Sequence, residues 1–118
     1  MVGYPRISKK DRSLVVEFVP GEKQRSERSL KMVLDFGEFG EIVGIEVINL
    51  VLQAGKNCLG IINQSVRTDG GELKCSYDEE ADSFYLRLKA GRSIDQKAVQ
   101  GSMVLDNNGH ILALNAEW

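Results

Sequence analysis

Asp78, Glu79, Glu80 and Asp82 form the densest acidic cluster of the chain, and hard cations take carboxylate oxygens. A calcium-wrapping loop alternates its carboxylates, turns on a glycine and ends on a distant glutamate, and this cluster has none of that spacing. A charged turn in which Asp78 bonds local backbone is therefore expected, with no metal. His110 with Asp106 and a serine could pass a proton from hydroxyl to imidazole. Yet Asp106 and His110 flank a tight turn through Asn107-Asn108-Gly109, and the chain has no G-x-S-x-G elbow. No catalytic residue is assigned. Cys58 and Cys75 have sixteen residues between them and no CxxC, and His110 is the single histidine. A structural zinc is excluded for want of ligands, and both thiols are expected in packing roles. The glycines Gly37, Gly40 and Gly44 lack the P-loop lysine and the strand-to-helix setting that cradles phosphate. No cofactor is expected.

What remains is polar surface on strands. Ser83, Tyr85 and Arg87 alternate with apolar residues, as do Ser13, Val15 and Glu17, while Glu46 and Asn115 take matching places in two further apolar runs. Aromatic and arginine side chains are enriched at binding centres, although outward Tyr and Arg on strands commonly serve as cross-strand partners. Tyr85, Arg87, Glu46 and Asn115 are the candidate binding residues.

The elements that must carry them show period-two alternation, the signature of strands. Leu14, Val16 and Phe18 fall on one face, as do Phe84, Leu86 and Leu88. Val43, Ile45 and Val47 behave alike, as do Leu112, Leu114 and Ala116, with Trp118 continuing that face. Met32, Leu34, Met103 and Leu105 complete the expected core. The tetrapeptide Met-Val-Leu-Asp occurs twice, at 32–35 and 103–106, each time followed by a glycine turn and an apolar run. Two diverged units about seventy residues apart are the reading: one at about 1–49, a connector at about 50–66, and a second at about 71–118. The first unit's turn, Gly37-Glu38-Phe39-Gly40, is expected to be the longer. Opening strands are expected near Gly3 to Ile7, where Pro5 suggests an edge, and at Leu73 to Tyr77. Leu50, Ala54, Cys58 and Ile61 recur at helical spacing after Asn49, predicting a helix from Leu50 to about Ile62 with Asn49 as N-cap. Gly55 and Gly60 leave open a shorter helix followed by a strand through Leu59 to Asn63.

The stretch Tyr77-Asp78-Glu79-Glu80-Ala81-Asp82-Ser83-Phe84-Tyr85-Leu86-Arg87-Leu88 resembles the opening Y-D-x-x-A-D-x-x-Y-I-R-L of a small prokaryotic family, domain of unknown function 2283. Residues 33–47, from Val33-Leu34-Asp35-Phe36-Gly37 to Val47, are similar to that family's second half. The resemblance implies a tandem of two diverged units and offers no catalytic residue. The units depart from each other where the second has Asp78 to Asp82 and the first has Ser8-Lys9-Lys10-Asp11-Arg12.

The fold class that follows is mostly β (α+β): two pseudo-symmetric repeats of antiparallel strands and hairpins in a single sandwich or barrel-like domain, with one short helix between them. At 118 residues the chain can bury a core without staples. Residues 1–31 hold eight Lys/Arg against four Asp/Glu, within a chain of net charge -2. That basic start makes nucleic acid the weakest partner reading, since Lys9, Lys10 and Arg12 alternate with polar residues and no aromatic residue interleaves them. The first twenty residues carry Pro5, Lys9, Lys10, Asp11 and Arg12 where an export signal needs an apolar run, so a cytoplasmic protein is expected, with no membrane segment. A noncatalytic interaction or self-associating domain, as a homodimer or with a protein partner, is the expected function. The alternative is a small-molecule-binding or enzymatic domain with its site between the two repeats.

Overall fold

A computed structural model describes residues 6–18, 25–58, 74–89 and 91–118. Its strands are β1 (Arg6–Lys10), β2 (Ser13–Glu17), β3 (Arg25–Phe36), β4 (Ile42–Ile48), β5 (Lys74–Asp78), β6 (Ser83–Arg87), β7 (Asp95–Asp106) and β8 (Ile111–Glu117). All pair antiparallel in one sheet of order β1-β2-β8-β7-β3-β4-β6-β5. The fold is mostly β, and the sheet curls into a half-barrel rather than forming a sandwich.

Alternation dictates the faces. Leu14, Val16, Leu30, Met32, Leu34, Ile45, Val47, Phe84, Leu86, Met103 and Leu114 line the inner face and are all but completely buried. At roughly 1.5–3 kcal/mol for each large side chain removed from water, this face is the main source of stability. Leu88 and Trp118 are partly buried against it. The long central pair, β3 with β7, joins the two halves of the sheet through twelve consecutive partners from Arg25↔Asp106 to Phe36↔Asp95.

Two expected core positions fall elsewhere. In β4, Phe36 pairs with Ile42 but Asp35 pairs with Gly44, so Val43 is an extra residue. In β8, Leu105 pairs with Ile111 and Val104 with Ala113, which leaves Leu112 extra. A bulge of this kind resets the alternation. Ile42 and Ile111 therefore enter the main core, while Leu112 packs with Val104 and Ala113 in a small cluster of its own.

The same pairings correct the expected loop lengths. Five residues separate Phe36 from Ile42, and five separate Leu105 from Ile111. The Gly37 and Gly40 amides bond the carbonyls of Glu41 and Gly37; sixty-nine positions on, the Asp106 and Gly109 amides bond those of His110 and Asp106. Gly40 and Gly109 both have positive φ, at 77° and 82°, which glycine adopts without strain. The two Met-Val-Leu-Asp segments are two residues out of step with this geometry. Asp35 lies within β3 opposite Gly44, whereas Asp106 ends β7 and holds its turn, accepting hydrogen bonds from the Asn108 and His110 amides at 2.8 and 2.9 Å.

Helix α1 is short, Leu50–Ala54, followed by a 3-10 turn at Lys56–Cys58. Gly55, with φ of 90°, ends it well before Ile62; residues 59–73, where the remaining helix or the alternative strand was expected, lie outside the described residues. Leu50, Ala54 and Cys58 join the main core. The first described strand, Arg6–Lys10, is an edge and is exposed throughout; residues 3–5 of the expected opening strand, Pro5 among them, lie outside the described residues. Among the described residues no helix is long and apolar enough to cross a membrane.

Candidate functional site: the outer face of β4 and β6

Tyr85 and Glu46 are direct partners across β6 and β4, and Arg87 is opposite Gly44, so three of the four candidate residues share one patch. Asn115 does not join them. Its strand, β8, is three places from β4 in the sheet, about 14 Å at the usual strand spacing, and its amide donates to the Ser102 hydroxyl at 3.1 Å.

The patch is organised around Asp35, the buried charged residue of the described chain, at 4% exposure. The Tyr85 hydroxyl donates to its Oδ2 at 2.9 Å and the Gln96 amide to its Oδ1 at 2.8 Å. A buried carboxylate needs such partners, because stripping it of water otherwise costs several kcal/mol. Gly44 makes the arrangement possible: a side-chain carbon there would overlap the Tyr85 hydroxyl. Burial first, and then the hydrogen bond to Asp35, push the Tyr85 phenol up to about 12. It is a fixed neutral donor at ordinary pH. Ser83 donates to Glu46 at 3.3 Å, and Arg87 to the Gly91 carbonyl at 3.3 Å.

The acidic turn also proves to be built for structure. Asp78 accepts hydrogen bonds from the Glu80 and Ala81 amides. Asp82, with φ of 50°, caps α1 from across the sheet: the Val51 and Leu52 amides donate to its two oxygens at 2.8 and 3.1 Å, and the Tyr77 hydroxyl donates at 2.6 Å. Asn49, the expected cap, is left-handed and makes no side-chain cap bond. Desolvation pushes the Asp82 carboxyl upward, but the bonds from Tyr77, Val51 and Leu52 together outweigh it and hold the group below its usual value. The hydrogen bond to Asp82 pushes Tyr77 up to about 12. Burial, aided by the Asp82 charge, pushes the Cys58 thiol up to about 11, and burial does the same to Cys75. Burial thus favours the neutral thiol at both positions. His110 Nδ1 lies 3.4 Å from Asp106 Oδ2 within their turn.

Asp35 and Gln96 carry no mark of a binding or catalytic motif in the sequence, and Asp82 stands out there only as a member of the acidic cluster, not as a helix cap. The available signal was a lone charge inside the apolar run Met32 to Phe36, placed by alternation on the face of Val33 rather than Leu34.

At the β3/β7 side of the patch, where β4 runs into α1, the surface changes character. A cleft of about 470 Å³ is lined by Lys31, Val33, Ile48, Leu52 and Ala98 among others. Ile48 is 47% and Leu52 79% exposed. No family model, curated protein or solved structure matches the chain.

Proposed function

We propose that the protein is a noncatalytic interaction domain that binds a polypeptide presenting an apolar side chain flanked by carboxylates. The cleft at Ile48 and Leu52 is the contact centre, and Lys31 at its rim is the charge complement. The single observation that carries this reading is the contrast between the two kinds of surface. Asp35, Asp82, Tyr77 and Tyr85 are tied into bonds that hold strands, a turn and a helix end, while the large apolar side chains Ile48 and Leu52 at the cleft stand in water. Exposed apolar surface with a polar rim is characteristic of protein contact sites. Pairing through the β1 edge is the less favoured route, because β1 presents Lys9 and Lys10, the usual defence of an open edge.

The test places a photo-crosslinking residue at position 52 of the full chain and, as control, at exposed position 9 on the edge strand β1. A discrete polypeptide adduct from position 52 alone, mapped by peptide mass to one partner segment with an apolar residue beside acidic ones, is expected. No specific adduct from position 52 overturns the reading.

A further inference from the structure

The occupant of the cleft can be sought within the same chain. Phe39 is 89% exposed at the tip of the β3–β4 turn, and it sits between Glu38 and Glu41, the latter accepting a hydrogen bond from the Phe39 amide at 3.3 Å. This is an apolar side chain flanked by carboxylates, on the face where Phe39 lines a hollow with Val43 and Arg92. It cannot reach its own cleft. The turn precedes Ile42 and the cleft includes Ile48, at opposite ends of β4, about 20 Å apart at the rise of an antiparallel strand.

Resting on the reading of the cleft as a polypeptide-binding site, we propose that its occupant is Phe39 of a second copy of this chain, in a reciprocal two-fold dimer. Two copies laid outer face to outer face, with their β4 strands running oppositely, bring each Phe39 to the other's Ile48 and Leu52. Glu38 then meets Lys31. Between the two anchors the face is complementary to itself. Arg87 lies opposite Gly44, toward the Phe39 end, and Glu46 lies one alternation nearer the cleft, so the two-fold sets Arg87 of one copy beside Glu46 of the other. A contact of this kind is isologous and closed, so it stops at two copies.

Sedimentation equilibrium of the full chain tests this with Phe39→Ala, Leu52→Asp and their equimolar mixture. Both positions are exposed in the single chain, so both variants should keep the wild-type circular dichroism, and their melting curves should match that of wild type diluted to the monomer, since dimerisation itself raises the melting temperature. Wild type is expected to dimerise, and each variant to weaken the dimer about thirty-fold or more, as truncation of a buried aromatic anchor does. The mixture should recover a heterodimer through its one intact Phe39-to-cleft contact. Wild type that stays monomeric at roughly millimolar concentration, well above what a specific interface needs, overturns the inference. So does a dimer indifferent to both variants. If the position-52 crosslinker meanwhile captures a different protein, the reading of the cleft stands and only its assignment to a second copy falls; if it captures nothing, both fall.

Discussion

Asp82 shows how much one side chain can hold. It accepts from two amides of α1 and from the Tyr77 hydroxyl, so it joins a helix to a hairpin thirty residues away. Asp82→Ala should lower stability by about 1–2 kcal/mol through loss of the cap alone, measured by urea unfolding at neutral pH. The ionised form is the one held in the fold, so its stabilisation is present above the unfolded carboxyl value near 3.9 and disappears as pH falls through the lower folded value. Asp82→Asn should therefore flatten the acid limb of a stability-against-pH curve below about pH 4. The alkaline limb has the opposite sign. Cys58 and Cys75, raised from 9.0 to about 11, and Tyr77 and Tyr85, raised from 10.0 to about 12, favour their neutral forms in the fold. Their contribution is complete below pH 9 and is lost progressively as pH rises through 9 to 12. Tyr85→Phe should shorten that loss at its upper end, read by denaturant midpoints across the range. None of this wiring could be read from Asn49, which has the right type and place for an N-cap. A cap supplied from another element leaves no local spacing to recognise.

At the scale of elements, Gly44 and Tyr85 operate as a pair across β4 and β6. A methyl group at 44 would occupy the place of the Tyr85 hydroxyl, forcing the ring away and leaving Asp35 with one partner fewer. Gly44→Ala should cost about 1–3 kcal/mol. Adding Tyr85→Ala should cost less in that background than in wild type, a non-additivity that a double-mutant cycle measures directly. Most strands were legible, because period two is a property of the residues themselves: Leu14-Val16-Phe18 and Phe84-Leu86-Leu88 declare their face without help. The bulges were not. Val43 and Leu112 continue the apolar pattern of their runs, and only pairing against β3 and β7 shows that each is the extra residue. Of the four candidate site residues, Tyr85, Arg87 and Glu46 came together because β6 lies beside β4, while Asn115 was separated by strand order, which alternation does not encode.

At the scale of the whole molecule, the sheet interleaves the two parts of the chain. Strand β2 has β8 as its inner neighbour and β6 has β4, while β3 and β7 form the seam. The hairpins β1–β2 and β3–β4 do not touch through their own edges; the hairpin β7–β8 lies between them. Cutting the chain between residues 59 and 73 should therefore give two fragments, neither of which folds alone. Mixed, they should assemble one to one with the circular dichroism of the intact protein. A fragment that folds on its own would mean that pairing across the seam is dispensable.

That interleaving also sets a timetable. β2 is complete at Glu17, but the strand that covers its inner edge begins at Ile111. At about 5–20 residues per second of synthesis, β2 waits on the order of 5–20 s for its partner to be made. During that interval Leu14, Val16 and Phe18 have no finished sheet to enter, and the early half of the nascent chain must be shielded until nearly the last strand has left the ribosome.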